Sequence, residues 1–401
     1  MKTPFKLAAL VAACCSTAAL AGDIKVGSVA GVTGPIAELV APIVAGRNLA
    51  AQHVNEQGGL LDGDTMRMVL ADSACDPKAG VDAGNKVVNV EQVVAIVGAS
   101  CSGATNGMVS SVSIPAGVMS ISDSATAPSI SELEDNGLVF RVAPSDAYQG
   151  AALAELVYAD GNTQVAMTYA NDDYNAGIAE VFARAFEAAG GTITGNQAHE
   201  PKKASYRSEL STLSRGGPQA LVVFSYYGSG GITILKNSLE NGLFSSFYAA
   251  DGMFDQSVID QIGADNLRGN IKITQSSSDT GDASYQAFAT LYGDATGDDP
   301  GAPYVAHGYD AAFMTALAIE RAKSTDRAAI AAAMTKIDNP PGMIIRPGEW
   351  AKAKAALAAG EPINYEGASG NVDFDANGDV GGVYGVNTVN DEGTRTQTLL
   401  K

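Results

Sequence analysis

Short apolar runs alternate with longer stretches of helical periodicity from residue 24 onward. Ile24–Val29 predicts a strand, and the alanine-rich Gly46–Glu56 predicts a helix closed by Gly58-Gly59. Met66–Ala71 predicts the next strand, Lys78–Val90 a helix and Val93–Val97 a third strand. The alternation pauses at Phe140-Arg141-Val142-Ala143-Pro144 and then resumes. Helices are expected at Ala151–Tyr158, Gly177–Ala189 and Ile232–Asn241, with strands at Gln164–Tyr169, Ala220–Phe224 and Phe247–Ala250 between and after them. Ile271–Thr274 then leads into helices at Ala283–Gly293 and Tyr304–Lys323. Strands alternating with helices in this way imply parallel sheets covered on both faces. A chain of this length exceeds one core, so the expected fold class is α/β, with two doubly wound parallel-sheet lobes and a cleft between them. Ligands of such sheets sit beyond the carboxyl ends of the strands. From Asn339 the chain reads as loop-rich, with Pro340-Pro341 and Arg346-Pro347-Gly348. The segment "DFDANGD" (373–379) imitates half of a calcium loop, but Tyr384 stands where the bidentate glutamate belongs. A tight turn is the expectation there.

Composition changes the picture in three ways. Lys2 and Lys6, the apolar run Leu7–Ala13 and Ala19-Leu20-Ala21 fit a secretory signal over residues 1–21, leaving a mature chain that starts at Gly22. Val11-Ala12-Ala13-Cys14 offers the rival reading of a lipoprotein box with Cys14 as the lipid-bearing residue. Removing the two lysines takes the formal charge from −19 to −21, an acidity that repels nucleic acid and anionic membrane surfaces but still admits a zwitterion. No later segment carries the roughly 18 uncharged apolar residues of a membrane span, so no direct membrane insertion is expected. Beyond the signal only Cys75 and Cys101 remain, and in an oxidising compartment they fit one disulfide. Three dispersed histidines (His53, His199, His307) and no CxxC leave no metal site, and no cofactor is implied.

The chemistry concentrates in "VGASCSGATNG" (97–107), which follows an apolar strand. A phosphate-binding P-loop would need lysine where Ala104 stands. A nucleophile elbow would need a second glycine where Ser102 stands, and no catalytic residue is assigned. What survives is a set of hydroxyls at a helix N-terminus, which either caps the helix or seats a small anion. "SISDSATAPSI" (120–130) is a second hydroxyl loop after a second strand, so the two loops could converge on one carboxylate.

Cys75-Asp76-Pro77-Lys78, Asn85-Lys86-Val87-Val88-Asn89, Cys101-Ser102 and Ala125-Thr126-Ala127-Pro128 together resemble the periplasmic branched-chain amino-acid-binding proteins of ABC transporters. The resemblance is strongest from 24 to 145 and weakest from 339 to 370. It implies a type I periplasmic binding protein with a three-segment hinge: residues 22–143 and 275–378 in lobe 1, and 144–274 and 379–401 in lobe 2. It implies Ser102 and Thr126 at the ligand carboxylate, with Asp251 and Ser124 at the ammonium. Tyr174 and Tyr227 are implied as lid and pocket aromatics, and Leu39 and Tyr304 as side-chain contacts. The implied ligand is a free amino acid (leucine, isoleucine or valine), the implied partner a membrane ABC permease, and the implied location the periplasm, as a monomer. Leucine at 39, where relatives often carry an aromatic, leaves branched aliphatic, larger aliphatic or amide side chains open. The same fold binding an amide, a small carboxylate or an aromatic amino acid is the rival reading. An exported hydrolase acting through Ser102 or Ser100, and a sensory ligand-binding protein, are rivals of another class.

Overall fold

The computed structural model describes residues 22–400, so the signal and lipoprotein readings of residues 1–21 lie outside the described residues. The first sheet holds β1 (Asp23–Ala30), β2 (Thr65–Asp72), β3 (Ala95–Val97), β4 (Ser120–Ser122) and β5 (Val139–Arg141). All pairings are parallel, in the order β2-β1-β3-β4-β5. The next strands are β6 (Gln164–Ala170), β7 (Thr192–His199), β8 (Ala220–Phe224), β9 (Phe247–Ala249) and β10 (Ile271–Ser277). β11 (Met343–Ile345) and β12 (Ile363–Tyr365) form a small parallel pair, and β13 (Val383–Val389) and β14 (Arg395–Leu399) end the chain's strands. The second large sheet runs β14-β13-β10-β9-β8-β6-β7. Its β10/β13 and β13/β14 pairings are antiparallel, an edge feature added to the expected parallel sheet.

The chain passes from the first sheet to the second after β5, returns after β10, and crosses again between β12 and β13. The long helix Val305–Ala322 is buried except at its last turn and packs on Ala37–Glu56 beneath the first sheet. Glycines permit that close approach: a Cβ on Gly46 would meet the Val305 carbonyl at 2.6 Å, and one on Gly308 the Ile43 carbonyl at 2.6 Å. A separate core around Val165, Phe182, Phe186, Val222 and Phe224 holds part of the second lobe.

The segment after Asn339 is more ordered than its prolines and glycines suggest. Its alanines form a helix, Trp350–Ala359, because Trp350 is fully buried and donates from Nε1 to the Gly59 carbonyl at 3.1 Å. The 373–379 segment is a turn. Asp375 accepts from the Asn377 and Asp379 backbone N–H groups, while Asp379 is taken up by Arg141 and Ser131. These carboxylates are therefore satisfied within the protein. No helix among the described residues is long and apolar enough to cross a membrane.

Candidate functional site: a closed cavity between the two sheets

The loop after β3 ends in a short helix, Ser102–Met108, and the loop after β4 lies beside it. Gly98 is needed at the bend: its φ is +118°, and a Cβ there would collide with the Val29 carbonyl. Cys101 is bonded to Cys75, so the base of the loop is tied to the segment after β2. Beneath both loops lies Arg47, fully buried. Its Nε donates to Asp123 at 2.6 Å, Nη1 to Ser28 Oγ and the Val29 carbonyl at 3.0 Å each, and Nη2 to Ser100 Oγ at 2.9 Å. One planar fork thus fixes the ends of two strands and both hydroxyl loops.

These bonds decide which way the hydroxyls point their protons. Ser102 Oγ accepts from the Thr126 and Ala127 N–H groups at 3.2 and 3.1 Å, and Ser100 Oγ accepts from Arg47. Each hydroxyl therefore keeps its own O–H as a free donor. Ser124 is the reverse: its O–H is directed to the Ser100 carbonyl and Asp123, at 2.9 and 3.0 Å, so toward another group it acts as an acceptor.

The facing wall comes from the second lobe. Asp251 Oδ1 accepts from Gln149 Nε2 at 2.8 Å and from the Tyr174 hydroxyl at 3.0 Å, leaving Oδ2 to another partner. Tyr174 also accepts from the Gly252 N–H at 3.1 Å and stacks on Tyr226 with ring centroids 5.2 Å apart. Burial raises the Asp251 pKa above the ordinary carboxylate value. Asp146, at the start of the helix Asp146–Ala159, is fully buried, and neither carboxyl oxygen has a hydrogen-bond partner. Burial and the nearby Asp251 charge push its pKa well up. The wall thus carries one buried acid, Asp251, with a second, Asp146, close enough behind it to interact.

Ile36, Leu39, Ser100, Ser102 and Ser124 on one side, and Tyr174, Tyr226, Asp251 and Gly252 on the other, line a small cavity together with Tyr304. The lobes touch around it: Asn106 donates to Asp173 at 2.9 Å, and Gly228 lies so close to the Pro35 carbonyl that a Cβ would collide. Six of the eight ligand-contact residues expected from sequence line this cavity: Leu39, Ser102, Ser124, Tyr174, Asp251 and Tyr304.

Two do not. Thr126 lies one layer behind, its N–H on Ser102 and its carbonyl taking the Asp146 N–H at 2.8 Å. Tyr227 is displaced by its neighbour: after β8 the chain turns so that Tyr226 faces the cavity, while Tyr227 packs in the core that includes Ile36 and Leu39. Sequence reading missed Ser100 as a lining residue, and Tyr226, Asp146, Gln149 and Arg47. Only Arg47 left a signal, because it falls on the apolar face shared by Ile43, Ala50 and Val54.

No histidine lines the cavity: the His53 ring bonds to Tyr309 and the His199 ring to Thr168. Two α/β lobes closed on a small cavity, with hydroxyl donors on one face and a buried acid on the other, define a solute-binding protein. The family model described as "Periplasmic binding protein" matches residues 23–364, and the chain belongs to that family. The leucine-, isoleucine-, valine-, threonine- and alanine-binding protein of Pseudomonas aeruginosa is 28% identical over 317 residues, covering 78% of this chain and 82% of that one. A leucine-binding protein of Thermotoga maritima superposes with a TM-score of 0.79 at 24% identity, covering 94% of this chain and 97% of that one. A solute-binding protein of R. palustris in complex with benzoate superposes with a TM-score of 0.76 at 19% identity, covering 94% and 96%.

Proposed function

We propose that this protein is an extracytoplasmic receptor, not an enzyme, that captures a free branched-chain amino acid between its lobes and delivers it to an ABC permease. The observation that carries this reading is the opposed chemistry of one cavity: Ser100 and Ser102 present free O–H donors, and Asp251 presents a carboxylate oxygen across from them. Uncharged donors suit a carboxylate, a buried acid suits an ammonium, and Ile36 and Leu39 supply apolar surface for the side chain. Because the two sets sit on different lobes, a ligand that bonds to both favours the closed state by its differential contacts. An organic acid without an amine, such as benzoate, would bring its own charge against Asp251 with no cation to compensate it, which makes it the poorer candidate.

Thermal melting with a panel of solutes tests the proposal. At one hundred times the dissociation constant a ligand stabilises the native state by about 2.7 kcal/mol. Unfolding entropy of roughly 2 cal/mol/K per residue converts this to a rise of about 3 °C in Tm. Leucine, isoleucine or valine should give such a rise. A rise with benzoate and none with any amino acid would overturn the ligand assignment.

A further inference from the structure

Behind Tyr304 lies a second cavity, between the end of β10 and the start of the helix Val305–Ala322. Tyr304 is a wall of both cavities. Two buried groups on this second space have no hydrogen-bond partner, the Gln275 amide oxygen and His307 Nδ1, while the Tyr304 hydroxyl is turned toward Asp251 in the first cavity. Gln275, His307 and Tyr304 are 2%, 3% and 3% exposed, a degree of burial at which polar atoms are normally satisfied. The other His307 nitrogen, Nε2, lies 3.3 Å from Ser276 Oγ. Burial lowers the His307 pKa to about 4, so at neutral pH the ring is uncharged and offers one donor and one acceptor. Tyr304 itself has a φ of 62°, a left-handed conformation that is strained for a bulky residue and is retained where a site requires it.

We propose that this cavity is a second subsite of the same ligand site. It takes an amino-acid side chain ending in an uncharged carboxamide or ureido group, admitted when the Tyr304 side chain rotates out of the shared wall. The inference rests on the amino-acid reading of the first cavity and extends its ligand class. The lining selects the chemistry. Apart from His307, which burial keeps neutral, no acidic or basic side chain faces the second cavity, so a charged tail would stand uncompensated. An apolar tail would leave Gln275 Oε1 and His307 Nδ1 unpaired. An amide tail gives Gln275 Oε1 a donor and gives neutral His307 a partner of either kind.

Calorimetry with leucine, glutamine, citrulline and asparagine, on the wild type and on Gln275→Met, tests this. Glutamine and citrulline should bind the wild type at least tenfold more tightly than asparagine, whose side chain is one methylene shorter than glutamine's. In Gln275→Met the ratio of glutamine to leucine affinity should fall at least tenfold. Should Gln275→Met not fold, as judged by its melting curve, His307→Leu serves for the same ratio. If leucine binds but the longer amides are no better than asparagine, or the ratio is unmoved in the folded variant, the cavity holds water alone and the subsite is refuted while the amino-acid reading stands. Failure of all four amino acids to bind overturns both.

Discussion

Replacing Asp251 by asparagine removes one charge and almost no volume from the wall that faces the hydroxyl loops. The amide oxygen can still accept from Gln149 or Tyr174, so the local packing should persist. What is lost is the counter-charge to a ligand ammonium. A charge-assisted hydrogen bond contributes about 1.5–3 kcal/mol, and a buried ammonium left unpaired costs about 3–5 kcal/mol. Asp146, close enough for the Asp251 charge to raise its pKa, remains and offsets part of that loss. A net effect of roughly 2–4 kcal/mol follows, or about 30- to 700-fold in Kd at 1.4 kcal/mol per decade. Isothermal titration with leucine reads the affinity, and melting of the unliganded variant reads the fold. Because the variant no longer buries this charge, its unliganded Tm should hold or rise. An affinity within threefold of wild type, in a variant that melts normally, would show that the amine is bound elsewhere.

The same geometry bears on four other perturbations. Burial raises the Asp251 pKa, and an ammonium pairs only with the anion. Affinity should therefore be full above that raised pKa and be lost as pH falls through it, with proton release seen as buffer-dependent heat; a flat affinity through acid pH would contradict this. Arg47→Met strands Asp123 in the interior and should cost about 3–5 kcal/mol of stability, much of it recovered by adding Asp123→Leu; denaturant titration of both variants checks this. Reducing the Cys75–Cys101 bond, which spans 26 residues, should lower stability by roughly 3 kcal/mol and Tm by about 4 °C, and thiol counting before and after verifies the bridge. Tyr226→Ala should weaken leucine binding at least tenfold and Tyr227→Phe less than threefold in the same titration; the opposite order would return Tyr227 to the pocket.

Most of the first sheet and the helix–strand alternation through Lys323 are legible in the sequence because buried parallel strands write themselves as unbroken apolar runs, as in Ala220–Phe224. β7 escapes that reading: Thr192–His199 is a half-exposed edge strand and mixes polar with apolar residues. β14 escapes it too, with four of its five residues exposed, and pairs only because β13 offers it an edge. In the site, Ser102, Ser124 and Asp251 were legible through motif position. The choice between Tyr226 and Tyr227 was not, since it depends on where the short 3-10 turn Tyr227–Ser229 begins after β8, which leaves no trace in composition. Asp146 looks in sequence like any acid opening a helix. Its burial beside Asp251, Tyr304 and Tyr384 appears only in the folded structure.

The central claim is that one ligand is held at both ends, its carboxylate by Ser100 and Ser102 and its ammonium by Asp251. Titration calorimetry of leucine against N-acetyl-leucine and leucinamide tests it most directly, because each analogue removes one charged terminus and keeps the side chain. Both analogues should bind at least one hundredfold more weakly than leucine. Binding of N-acetyl-leucine as tight as that of leucine would contradict the role given to Asp251, and equal binding of leucinamide would contradict the role given to the hydroxyl loops.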